Sequence, residues 1–162
     1  MKYRFLSILA MLCMAMPAFV SCNDDDDDDD PALVDGVIGT YTGSLGAQVM
    51  NIDCPMEGKY EVSIWNASDA DEVRVVLPKC AFAMPGSSAA DTIPSLTVYD
   101  VDVKASGNSY ILDEDDFSVT VNGVVYTGSI NGTVSGKNAK INYVVKPGRM
   151  PMPINFAFDG SR

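Results

Sequence analysis

The chain has 162 residues, with 22 acidic against 11 basic side chains and a formal charge of −11 at pH 7. Nucleic acid binding rests on Lys and Arg contacts to phosphate, so this balance excludes that class of partner. Histidine is absent, which removes His-based triads, His-liganded zinc and imidazole general bases together.

The first element is a leader. Lys2 and Arg4 precede an apolar stretch over residues 5–20. That order marks a secretory signal, whereas a membrane span needs about 20 apolar residues and different flanks. The predicted division is a signal peptide over 1–21, a tether over 22–35 and one domain over 36–162, long enough to bury a core. Ser21 followed by Cys22 resembles the lipobox of bacterial lipoproteins, in which the cysteine is lipidated and becomes the mature N-terminus. The family favours Leu where this chain has Phe19. Cys13 fits less well, because Leu12 before it is too large for the cleavage position. The resemblance implies acyl chains on Cys22 and a membrane anchor, each buried CH₂ adding about 0.8 kcal/mol. The alternative is an ordinary cleaved signal followed by a spare cysteine.

Asn23 is followed by Asp24, Asp25, Asp26, Asp27, Asp28, Asp29 and Asp30. Adjacent like charges repel and stay solvated, so the run predicts an extended tether. It would reach roughly 30 Å at about 3.3 Å per residue, and an anionic membrane surface would push it outward. An acidic run directly after a lipidated cysteine also resembles the surface-export signal of lipoproteins in gut-type Gram-negative bacteria. That resemblance implies an outer-membrane protein exposed at the cell surface. The alternative is a periplasm-facing protein in which the run is only a spacer.

From residue 37 onward a period of two dominates, with one face apolar. Tyr41 shares a face with Gly39, Gly43 and Leu45, and Tyr60 with Val62 and Ile64. Val73, Val75 and Leu77 come next, then Tyr99, Val101 and Val103 opposite Asp100, Asp102 and Lys104. Phe117, Val119 and Val121 follow, then Ile141, Tyr143 and Val145, and last Ile154, Phe156 and Phe158. Turn signals fall at Glu57-Gly58, Ser106-Gly107-Asn108, Asn122-Gly123 and Ser135-Gly136, and Asn-Gly suits a two-residue hairpin. Residues 84–92 predict a loop of Pro, Gly, Ser and Ala. About eight strands joined by short hairpins argue for an all-β, antiparallel up-and-down barrel, because closure removes exposed edges. YTGSLG from Tyr41 and YTGSING from Tyr126 echo one another. They read as strands that bend sharply and need a glycine to do so, against a duplicated ligand-contacting strand.

GTYTG at 39–43 and MPMPINFAFDG at 150–160 resemble the calycin-like β-barrel domain of surface lipoproteins. Gly39-x-Tyr41 also resembles the G-x-W that opens lipocalin barrels. The resemblance covers roughly 37–160 and implies a lipocalin-related barrel of about eight antiparallel strands, with no catalytic residues and no cofactor. Cys54 and Cys80 are not part of its pattern.

An eight-stranded barrel either fills its interior with side chains or holds one small ligand. Tyr41, Tyr60, Tyr99, Tyr110, Tyr143, Phe117 and Phe156 are the candidate ligand contacts, and the same bulk could simply fill the core. Cys54 and Cys80 are candidates for a disulfide that would contribute roughly 3 kcal/mol. The strand reading sets them on non-neighbouring strands nearly 10 Å apart, against the 7 Å or so a disulfide allows, so the pairing stays open. Asp91-Thr92-Ile93 resembles the Asp-(Ser/Thr)-apolar O-glycosylation acceptor of exported proteins in such bacteria, which makes Thr92 a candidate.

Asp113-Glu114-Asp115-Asp116 is oxygen-rich but lacks the spacing and glycine of a calcium loop, and reads as a solvated hairpin. Met150 and Met152, with Met84 and Met56, could offer thioethers to Cu(I), but methionine commonly just fills gaps. No metal is assigned. Carboxylates such as Glu57 and Glu61 suggest no glycosidase pair. The sequence therefore reads as a non-enzymatic, surface-anchored binding module for a small apolar or glycan-type ligand. The alternative is a structural or adhesive protein with a filled barrel that contacts surface proteins through Trp65, Tyr99 or the Met-Pro segment, with protease inhibition as a minor variant.

Overall fold

The computed structural model describes residues 33–162 apart from 88, 149 and 151. The predicted signal peptide, Cys22 and the acidic run lie outside the described residues. A 3₁₀ turn at Leu33–Gly36 leads into β1 (Gly39–Val49), β2 (Ile52–Cys54), β3 (Tyr60–Asn66), β4 (Glu72–Leu77), β5 (Cys80–Ala83) and β6 (Ala90–Ile93). Then come β7 (Leu96–Ser106), β8 (Ser109–Val121), β9 (Val124–Ser135), β10 (Asn138–Pro147) and β11 (Ile154–Ser161). The main sheet runs β11-β10-β9-β8-β7-β4-β3-β1-β2, and pairing of β1 with β11 closes it into an antiparallel barrel of eight long strands. β1 spans the closure: Gly39–Gly43 pair with β3, Thr42–Val49 pair with β11, and Ala47–Val49 also take the short β2.

The turns sit where the sequence signals put them. Asn122 and Gly123 both have positive φ, 51° and 76°, as a two-residue hairpin with primed geometry requires. The β1–β2 hairpin is turned instead by Met50 and Asn51, at φ 53° and 63°. Asn tolerates that region, and Met gives no sequence signal for it.

Inward positions build one continuous core in which Val62, Ile64, Val73, Leu112, Ile130, Ile141 and Ile154 are fully buried, with no buried polar or charged residue among those described. Each such side chain contributes roughly 1.5–3 kcal/mol relative to exposure. The two echoing strands hold Gly43 and Gly128 where a neighbouring strand passes very close. A Cβ at Gly43 would collide with the Asp159 carbonyl, and one at Gly128 with the Val144 carbonyl. The bent-strand reading of YTGS fits this crowding.

Three expectations change. Tyr99 does not point inward: Val73 pairs with Val101 and Val75 with Val98, so Tyr99 and Asp100 together oppose Arg74. This bulge, with Asp100 at φ 58°, breaks the alternation and throws Tyr99 onto the outer face. Asp113–Asp116 form no hairpin. They lie within β8, where the register shifts between Glu114 and Phe117. Residues 84–92 are not all loop, because β5 and β6 pair as a hairpin that includes Thr92 opposite Ala81.

Candidate functional site

The barrel has two unlike ends. At the first, the 3₁₀ turn lies across the opening with Val34 and Val37 buried. Tyr41 donates its hydroxyl to the Val37 carbonyl at 2.8 Å. Arg162 donates to the carbonyls of Ile38 and Gly36 and lies 5.3 Å from the centre of the Tyr41 ring. Burial raises the Tyr41 pKa and the Arg162 charge offsets part of that rise. The Tyr110 ring fills the space beside Gly36, where a Cβ would not fit. This end is closed by its own side chains.

At the second end the β5–β6 hairpin lies over the mouth, with Cys80, Phe82 and Ile93 buried. Phe82 meets Phe156 edge-on at 6.4 Å between centroids, and Phe156 stacks on Tyr143 at 4.8 Å. The Tyr143 hydroxyl is buried without a hydrogen-bond partner among the described residues. Burial drives its pKa far up, and Cys80 and Tyr60 nearby push in the same direction. Burial also pushes the Cys80 thiol up to about 11, partly offset by a backbone hydrogen bond at Ile93, so it stays a neutral, unreactive thiol at neutral pH. The candidate disulfide is not formed: Cys54 and Cys80 are both free and buried. They sit in different sheets, Cys54 beside β1 and Cys80 on the hairpin, and the Cys54 thiol faces the Met84 sulfur at 3.8 Å. A narrow apolar cleft of about 120 Å³ remains at this mouth, between Phe82 and Met84 on one side and Met150, Met152 and Ile154 on the other.

A larger space lies on the outer wall. A groove of about 560 Å³ crosses β9, β10, β11, β1 and β2. Its polar lining comes from Gln48, Asp53, Ser129, Asn131, Asn142 and Asn155. Pairing brings these residues together from distant parts of the sequence. Asn142 lies between Asn131 and Ala157, and Asn155 between Val144 and Gln48, which in turn faces Asp53. Gly46 and Ala157 oppose one another, so no long side chain rises between the two rows. Gln48 donates to Asp53 at 2.6 Å and Asn131 to Asp113 at 3.3 Å. Each carboxamide both donates and accepts, so the groove presents mixed donors and acceptors around a low floor.

The match to known proteins is decided by extent. The sequence pattern of the calycin-like beta-barrel domain matches residues 37–161. The chain belongs to the calycin-like β-barrel family. Among solved structures, this calycin-like barrel is similar to a Bacteroides fragilis protein provisionally described as an outer membrane protein, with a TM-score of 0.67 and 25% identity. The likeness covers 81% of this chain and 53% of the other, so the chain spans about half of that protein. No curated protein matches it significantly.

Within the calycin-like barrel the candidate contacts divide. Tyr41 and Tyr110 belong to the closed end. Tyr60, Tyr143 and Phe156 gather under the hairpin, and Phe117 is buried against Gly128. Tyr99 stands outside, 58% exposed. There it shares a row with Arg74 and with Trp65, which pairs with Arg74 across β3 and β4 and is 46% exposed. Sequence reasoning missed the outer groove. Its only trace was a scatter of Asn and Gln at outward positions, which register alone unites.

Proposed function

We propose that this protein is a lipid-anchored, surface-exposed and non-enzymatic binding protein whose ligand is a glycan held in the outer groove. The carrying observation is the groove itself, about 560 Å³ lined by four carboxamides and a carboxylate. Sugar hydroxyls both donate and accept, and such a lining matches them. The mouth cleft of about 120 Å³ is small beside pockets of roughly 300–1,000 Å³ that hold drug-sized ligands. The anchor is Cys22 and the export signal Asn23 with Asp24–Asp30, on the sequence grounds given above. The B. fragilis neighbour supports a location at the outer membrane.

A panel of immobilised oligosaccharides tests this with the full chain. At least one should bind, and Asn142→Leu combined with Asn155→Leu should abolish that binding while the thermal midpoint holds. Binding indifferent to these changes, or none across the panel, would overturn the assignment.

One observation favours a second reading, adhesion to a surface protein. Exposed Trp65 and Tyr99 flank half-buried Arg74, and these residue types dominate interface hot spots. Trp65→Ala with Tyr99→Ala would then remove cell attachment and leave oligosaccharide binding intact. Thr92, exposed on β6, stays a candidate for O-glycosylation; an intact mass from the native host lacking any adduct would rule it out.

A further inference from the structure

The face of β1 that lines the outer groove continues past it. Thr42, Ser44, Gly46 and Gln48 alternate outward along this strand, and all four are exposed. Gly46 and Gln48 line the groove. Thr42 lies about 13 Å along the strand from Gly46, at about 3.3 Å per residue. There it lines a second pocket of about 420 Å³ with Lys59, Tyr60, Glu61, Pro78 and Lys79. Register accounts for part of this meeting, because Thr42 pairs with Glu61 across β1 and β3. The link from β4 to β5 supplies Pro78 and Lys79.

The two spaces differ in charge. The groove is lined by a carboxylate and no basic side chain, whereas the pocket sets two lysines against Glu61. Lys59, Lys79 and Glu61 enter no ion pair among the described residues. Both ammonium groups are therefore free to meet a ligand, each with three N–H donors. Between the two spaces Asp159 stands opposite Ser44, and Lys140 pairs with it at 3.5 Å, which offsets its charge. Two lysines and one glutamate leave the pocket singly positive, which suits one singly charged anion. A doubly charged phosphate would meet Glu61 as a like charge. The Glu61 carboxylate and the Thr42 hydroxyl can take hydroxyl groups beside that anion. We propose that Lys59 and Lys79 hold an acidic sugar, bearing a carboxylate or a sulfate ester, of the same glycan that lies in the groove. Groove and pocket are then two subsites along β1, and the ligand class is an acidic glycan. This inference rests on the glycan reading of the groove.

The test uses the full chain in detergent and an array of matched oligosaccharides. Each uronic acid oligosaccharide stands beside its carboxyl-reduced twin, and each sulfated one beside its desulfated twin. At least one acidic member should bind about tenfold tighter than its neutral twin, and the pair concerned identifies the acidic group. That preference should shrink as salt rises from about 50 to about 300 mM. Lys59→Gln with Lys79→Gln should erase it, leave the neutral twin binding as before and hold the thermal midpoint, since both side chains are exposed. Lys104→Gln with Lys137→Gln removes the same charge outside the pocket and should keep the preference. Equal binding of the twins, a preference that survives in the Lys59 and Lys79 variant, or equal loss in the control would overturn the second subsite. The groove reading would still stand if Asn142→Leu with Asn155→Leu abolished binding. Binding lost in the Lys59 and Lys79 variant but indifferent to those leucines would overturn the groove reading, and with it the joining of the two subsites. No binding anywhere on the array would overturn both.

Discussion

Tyr143 offers a direct test of whether the interior is as closed as its packing implies. Its hydroxyl is buried without a partner among the described residues, and leaving such a group unpaired costs about 1–3 kcal/mol. Tyr143→Phe removes that oxygen and keeps the ring stacked 4.8 Å from Phe156. Folding stability from urea denaturation should therefore rise by about 1 kcal/mol at neutral pH. The alkaline limb gives a second readout. Below about pH 10 both folded and unfolded states keep the phenol proton. Above it the unfolded chain ionises, while burial keeps folded Tyr143 protonated. The folded state then holds one more proton, and stability falls by about 1.4 kcal/mol per pH unit. The variant should lose that share of the slope, while Tyr41, shifted in the same direction, keeps its own. A loss of more than about 1 kcal/mol at neutral pH would refute the reasoning, because the hydroxyl would then be paired with water or a ligand inside the barrel. An unchanged alkaline slope would refute the burial argument separately.

Gly128→Ala places a methyl group against the Val144 carbonyl and the Phe117 ring; urea denaturation should show a loss of about 2–3 kcal/mol. Arg162→Ala removes the hydrogen bonds to Ile38 and Gly36 and the contact with the Tyr41 ring, at a cost of about 1–2 kcal/mol by the same assay. Deleting Asp24–Asp30 should abolish cleavage of the protein by protease added to whole cells and leave its total amount unchanged.

Period-two patterning and glycine turns made the barrel legible, because a strand buried on one face must alternate and a tight hairpin must have positive φ somewhere. The same logic failed at Tyr99. A bulge adds one residue and reverses every later side chain, and Asp100 in a strand-like run gives no warning of it. Asp113–Asp116 misled for a related reason: their charge suggested a turn, but a second bulge accommodates them within β8. The hairpin over the mouth was hidden because β5 and β6 have only four residues each, too few for periodicity to speak. The outer groove needed register. Gln48, Asn131, Asn142 and Asn155 are neighbours only once β9, β10, β11 and β1 are paired, and nothing local in the sequence specifies that.

The two ends also differ in how the chain meets them. The described chain begins at Leu33, and residues 33–36 pack across the closed end, tied there by the Arg162 bond to Gly36. The chain therefore enters the domain at the closed end, opposite the hairpin and the mouth cleft. A core built from the inward face of every strand leaves the wall as the surface with room for recognition. On a wall, side chains from five strands can be exchanged without disturbing the packing behind them. A groove there runs along the side of the domain, open to a long polymer passing alongside. A ligand enclosed inside the barrel would have to be short. A site on the wall, by contrast, sets no limit on the length of its occupant.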